Sequence, residues 1–189
     1  MQSVKFKIVG TRPLLMHADI FSDPLNALTK AHKQMTGKRK KTDEDHEVIA
    51  KSEWRGGLYW DEELGPYLPG VNIEAAMIEG GKLAKMGTTL KRSVEVLNDR
   101  CKLIYEGPRD IEGLWAKGFY DARSVKIQKN RVIRYRPVFY KWSTECELVF
   151  DPESIDRSSV VKALEDGGTF CGVGDYRPKF GRFAVEIAK

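Results

Sequence analysis

Arg177, Lys179 and Arg182 stand in the segment CGVGDYRPKFGRF (residues 171–183), among Tyr176, Phe180, Phe183 and three glycines. Each of these residue types has a separate use on a polyanion. Arginine forks bind phosphate bidentately, exposed rings stack on bases, and glycine lets backbone N–H groups approach a phosphate closely. The run GVGDYRP departs from a dinucleotide fingerprint, because Arg177 replaces the third glycine and a strand follows where a helix is needed. No GK[ST] is present either, so no nucleotide cofactor is expected. The glycines have a competing use, which is to supply positive φ at a bulge before the last strand. Gly172, Gly174, Tyr176, Arg177, Lys179 and Arg182 are the candidate binding residues here, and Phe183 is assigned to the core.

Other chemistry is thinly represented. His17, His32 and His46 are scattered, and neither HExxH nor a CxxC pair occurs, so no metal site is expected. Cys101, Cys146 and Cys171 are odd in number and widely spaced, as expected for reduced, buried thiols of a cytoplasmic protein. Asp61, Glu62 and Glu63 read as the solvated acidic tip of a hairpin. Serine-centred nucleophile elbows are absent.

The net charge of +5 is modest, but its distribution is uneven. Ala122 to Thr144 holds seven Lys/Arg and no acid; setting those seven aside from 32 leaves 25 cations against 27 acids. A one-signed patch on an otherwise acidic body attracts polyanions. Lys126, Lys129, Arg131, Arg134 and Arg136 are therefore candidate phosphate contacts. A second basic run, Ala27 to Thr42, precedes Asp43, Glu44, Asp45 and Glu47. No stretch reaches the ~20 apolar residues of a membrane span, and MQSVKFKIVG carries charges where a signal peptide needs an apolar run.

The elements that must carry these residues follow from periodicity. Val4, Phe6 and Ile8 alternate with Lys5 and Lys7 as a half-buried strand. Residues 25–54 predict two short helices broken near Gly37, and GGLYWDEELGPYLPG predicts a hairpin. VNIEAAMIEGGKLAKM places Ile73, Ala76, Met77, Gly80, Leu83 and Ala84 on one helical face, with Gly80 and Gly81 allowing close packing on a sheet. RSVEVLNDRCKLIYEG reads as strand, followed by a loop carrying Trp115. SVKIQKNRVIRYRPVF predicts a hairpin turning at Lys129-Asn130. Glu145 to Phe150 reads as strand, DPESIDRSSVVKALEDGG as a helix with a glycine stop, and Phe183, Val185 and Ile187 alternate in a last strand. The order is βαββαβ, a ferredoxin-like, RRM-like α+β domain over residues 1–189 with a charged helical insertion at about 19–55 and a basic hairpin at about 122–141. Adjacent first and last strands would then place Lys5, Lys7 and Arg182 on the open sheet face.

Two segments resemble a known family. GPYLPGVNIEAAMIEGG is similar to the strand-Pro-Gly-helix segment of the RAMP superfamily, the RRM-like proteins of RNA-guided CRISPR complexes. Tyr67, Leu68, Pro69, Gly70 and Ile73 match, whereas Val71, Asn72, Glu74 and Ala75 depart. GVGDYRPKFGRF resembles that superfamily's glycine-rich loop, and the GDYRPKFGRF ending is also similar to small phage-encoded proteins of unassigned role. The two segments cover about thirty residues. The resemblance implies a fold that grips single-stranded RNA or DNA along its backbone, with self-association along a strand or membership of a nucleoprotein complex. Base-stacking strand aromatics are not evident, since Lys5 and Lys7 occupy those positions, so phosphates should outweigh base identity.

Family nucleases of the backbone type carry an Asp where an ungapped comparison puts Arg55; Asp19 or Asp23 could substitute only with a shifted register. The metal-free kind uses a histidine near the first strand, a role open to His17. Three functions compete on this basis. The first is a non-catalytic single-strand binder, the second a metal-independent endoribonuclease using His17. The third is an interaction module that joins or blocks a nucleoprotein complex through residues 25–54 and the DEEL tip.

Overall fold

The computed structural model describes residues 1–128 and 130–187. Along the chain run β1 (Gln2–Gly10), β2 (Leu14–Leu15), α1 (Ala27–Thr36), α2 (Asp43–Gly57), β3 (Trp60–Asp61), β4 (Gly65–Pro69) and α3 (Gly70–Lys82). Then come α4 (Gly87–Ser93), β5 (Val94–Val96), β6 (Arg100–Lys102), β7 (Ile104–Tyr105) and α5 (Ile111–Ala116). The chain closes with β8 (Tyr120–Ile127), β9 (Asn130–Phe139), β10 (Trp142–Phe150), α6 (Arg157–Asp166), a π-turn (Gly167–Cys171) and β11 (Phe183–Ile187). This is a mixed α+β protein with several antiparallel sheets and six α-helices among the described residues. The chain divides into two compact units. The first comprises Met1–Leu14, Trp60–Glu106 and Phe139–Lys189; the second comprises Leu15–Tyr59 and Gly107–Val138.

The first unit is built on an antiparallel sheet of order β11-β1-β10-β5, with β7 also on β10. Period-two alternation sends Val4, Phe6 and Ile8 of β1 inward with Cys146, Leu148 and Phe150 of β10. Helices α3 and α6 supply the facing apolar residues: Ile73, Ala76 and Met77, and Val160, Ala163 and Leu164. Asp156 starts α6 by accepting the Ser159 N–H at 2.9 Å. The β3-β4 hairpin forms as expected, and its Asp61 accepts the Glu63 and Leu64 N–H groups and pairs with Arg100.

The glycine pair in α3 serves helices rather than a sheet. A Cβ on Gly80 would lie 2.3 Å from Gly167 N, and one on Gly81 would lie 2.0 Å from Leu90 Cδ1. Helix α3 stops at Lys82, so Leu83 and Ala84 leave the predicted buried face, and Leu83 is 63% exposed. Other expectations also shift. Arg92 and Ser93 end α4 before the strand begins, RSVEVLNDRCKLIYEG breaks into β5, β6 and β7, and Trp115 rides on α5. The Asp110 side chain caps α5 by accepting from Gly113 N at 2.7 Å. Past Asp166 the chain winds on through the π-turn where a glycine stop is expected.

The second unit gathers the charged insertion and the basic hairpin into one body. The two expected helices form. Asn26 caps α1, and Thr42 and Asp45 make a reciprocal capping box on α2, whose first turn is acidic. Trp54 of α2 is fully buried, and its Nε1–H donates to Phe119 O at 2.8 Å. Strands β8 and β9 pair from Tyr120↔Pro137 to Ile127↔Asn130, so Asn130, expected in the turn, is the first residue of β9. Lys129 lies outside the described residues.

Candidate nucleic-acid interface

The last loop of the first unit is clamped at its neck and spread at its tip. Val173 is fully buried, and its N–H donates to Gly181 O at 2.9 Å. Gly181 N–H donates to Pro13 O at 2.8 Å, and Gly172 N–H to Gly167 O at 2.7 Å. Gly181, at φ +71°, would put a Cβ 1.7 Å from Val173 O; Gly172, at φ +76°, would put one 2.9 Å from Phe180 O. Gly172 and Gly181 therefore close the neck, and both are buried. Gly174, at φ +77°, starts the excursion outward.

At the tip, Tyr176 is 42% exposed and Arg177 and Lys179 stand in solvent. Neither cation takes part in an ion pair among the described residues. The Tyr176 backbone sits at φ +56°, with its N–H donated to Asp175 Oδ1 at 2.8 Å. That is a left-handed conformation few tyrosines adopt, held by the loop around it. Phe180 meets the Tyr176 ring edge-on at 5.8 Å and steadies it. Tyr176, Arg177, Phe170 and Cys171 line a cleft of about 520 Å³ together with Glu79. Burial, and then the Glu79 carboxylate, push the Cys171 thiol up, which keeps it protonated. Arg182 sits apart from the tip. It is half-buried with its Nε enclosed and unpartnered, and its carbonyl accepts from Thr11 and Arg12 N–H.

Lys5 and Lys7 do share the open sheet face, but the register sets Lys5 opposite Glu147 and Lys7 opposite Glu145 and Glu186. With Glu95 on β5, that face carries two cations and four acids among the described residues. Directly opposed charges on a sheet face lie within interaction distance, so the glutamates outweigh the field of the two lysines.

In the second unit the hairpin register separates its cations by face. Arg123, Arg134 and Arg136 point to one side, and Lys126 and Arg131 to the other. Arg134 is ion-paired with Glu53, and Arg123 makes two 3.1 Å hydrogen bonds to Asp121. Lys126 and Arg131 are the exposed pair. The arginine side borders a cleft of about 540 Å³ that also holds His17, Asp19, His32 and Glu53. His32 stacks on Phe21 at 4.4 Å, its Nδ1 lies 3.0 Å from Ser52 Oγ, and burial pulls its pKa down. His17 is exposed and is brought beside Arg134 and Arg136 by the fold. No group of metal-ligating side chains forms among the described residues. Among them, too, no helix is long and apolar enough to cross a membrane.

Sequence reasoning missed Phe170, 55% exposed beside Tyr176. Its signal was weak, because a lone aromatic after a glycine pair reads as core. No protein-family model matches this chain, and no curated protein matches it.

Proposed function

We propose that this protein binds single-stranded nucleic acid without cleaving it, gripping the phosphate backbone on a ferredoxin-like core of RAMP type. The observation that carries the reading is the clamped loop, which presents one half-exposed ring and two unpaired cations on a backbone fixed at its neck. Preorganisation of this kind lowers the ordering cost of binding. The strand order β11-β1-β10-β5, with α3 and α4 between β1 and β5 along the chain and α6 between β10 and β11, supports the ferredoxin-like reading. The exposed Lys126 and Arg131 of the hairpin supply further phosphate contacts, with Lys129 between them in sequence.

The test is a titration against single-stranded RNA, single-stranded DNA and duplex of equal length over a salt series. If about five cations neutralise phosphates, log K falls against log[salt] with a slope of ~−3.5, roughly a hundredfold between 50 and 200 mM. A slope near zero overturns the reading.

A metal-independent endoribonuclease is the second reading, favoured by the shared cleft of His17, His32, Arg134 and Arg136. General acid–base cleavage needs such a histidine beside phosphate-binding cations. RNA cleavage that persists in EDTA and vanishes in His17→Ala would put it first.

A further inference from the structure

We infer that the nucleic-acid track on the first unit runs over its helical side, from the Tyr176–Arg177 cleft past Glu79 into a basic cleft between the end of α3 and α4. This rests on the binding function proposed above and assigns it a surface. The cleft measures about 880 Å³, and its lining includes Lys82, Lys85, Lys91 and Arg92, with Glu79 as the sole acid. Glu79 is ion-paired with Lys82 and lines the loop cleft as well, which makes the two clefts neighbours across one side chain.

The packing explains why the cations converge. Because Gly81 has no side chain, Leu90 of α4 presses against α3, and Met86 N–H donates to Gly81 O at 2.9 Å. That return brings Lys91 and Arg92, in the last turn of α4, back alongside Lys82 and Lys85. Lys85 holds φ +60°, the reversal that makes the return possible.

Charge separates this side from the sheet. Among the described residues the α3–α4 cleft has four cations and one acid, and the loop cleft adds Arg177 and Asp175 beside the shared Glu79, whereas the open sheet face has two cations and four acids. A polyanion drawn to the loop meets attraction on the helical side and repulsion on the sheet. Stacking rings sit beside the first cleft, at Phe170 and Tyr176, so bases have a platform where the phosphates have cations. A concave cleft also admits a single strand better than a flat bilayer.

The experiment titrates fluorescein-labelled 20-mers of oligo-U and oligo-dT against three proteins. These are the wild type, a Lys85→Gln/Lys91→Gln/Arg92→Gln variant, and an Arg177→Ala variant, each checked by thermal melting. At about 0.7 per contact, losing three contacts reduces the salt slope by ~2, so the affinity lost between 50 and 200 mM salt shrinks by about sixteenfold. Photocross-linking of a 4-thiouridine oligomer to wild type gives an independent reading, with adducts expected in peptides 82–92 and 170–177. Weakened binding by both variants supports the track. Weakened binding by Arg177→Ala alone, or adducts in 170–177 with the remainder on β1 and β10, overturns it and leaves the binding function standing. No binding by wild type overturns the binding function itself. Equal retention on phosphatidylserine vesicles that oligo-U cannot displace assigns the cleft to a membrane surface and overturns the track.

Discussion

The open sheet and the C-terminal loop of the first unit each offer two candidate cations, Lys5 and Lys7 on one and Arg177 and Lys179 on the other. They present opposite fields. On the sheet, antiparallel register brings a glutamate opposite each lysine, and Glu95 adds a fourth acid. On the loop, the neck at Val173 and Gly181 turns Arg177 and Lys179 into solvent, with no strand register setting an acid opposite them. The lesson is that a cation's worth to a polyanion depends on what the fold sets opposite it. Strand pairing decides that on a sheet, and exposure decides it on a loop.

Four variants break or sharpen this contrast. The largest effect belongs to Gly181→Ala, which combines positive φ with a Cβ 1.7 Å from a backbone carbonyl. It is expected to cost about 2–4 kcal/mol of stability, read by urea denaturation, and to abolish binding by opening the neck. Stability close to wild type would show that the neck is not what holds the tip out. Next comes Tyr176→Ala, expected to weaken oligo-U binding about five- to 150-fold through loss of one stacked base, with an unchanged melting temperature. If affinity holds, the ring only braces Phe180.

Arg177→Ala with Lys179→Ala should lower the salt slope by ~1.4 and leave folding intact. A large drop in melting temperature with normal affinity per folded molecule would make both residues structural. The smallest effect is expected from Lys5→Ala with Lys7→Ala, which should change affinity by no more than about twofold, since the facing glutamates outweigh their field. A tenfold loss in a gel-shift titration would restore the sheet as a binding face and dissolve the contrast.

Parts of this arrangement were legible in the sequence. The strict alternation of Val4, Phe6 and Ile8 identified β1, the charged run broken near Gly37 pointed to the two helices α1 and α2, and Asp and Ser start signals identified α6, because these signals are local. The cation and ring content of residues 176–179 was likewise visible. Helix α4 was not, since GTTLKRS has β-branched threonines and no side-chain cap, and its place is set by Leu90 against Gly81.

The sequence by itself determined which segments alternate, where helices begin, and that cations and rings crowd its last loop, because these depend on neighbours a few residues apart. Only the tertiary structure decided which charges survive. Lys5 meets Glu147 across more than a hundred residues, Arg134 meets Glu53, and Lys91 comes beside Lys85 because a glycine lets one helix settle on another. Electrostatic potential is summed over space rather than along the chain, so a pattern of charged letters cannot reveal it until packing has fixed the distances.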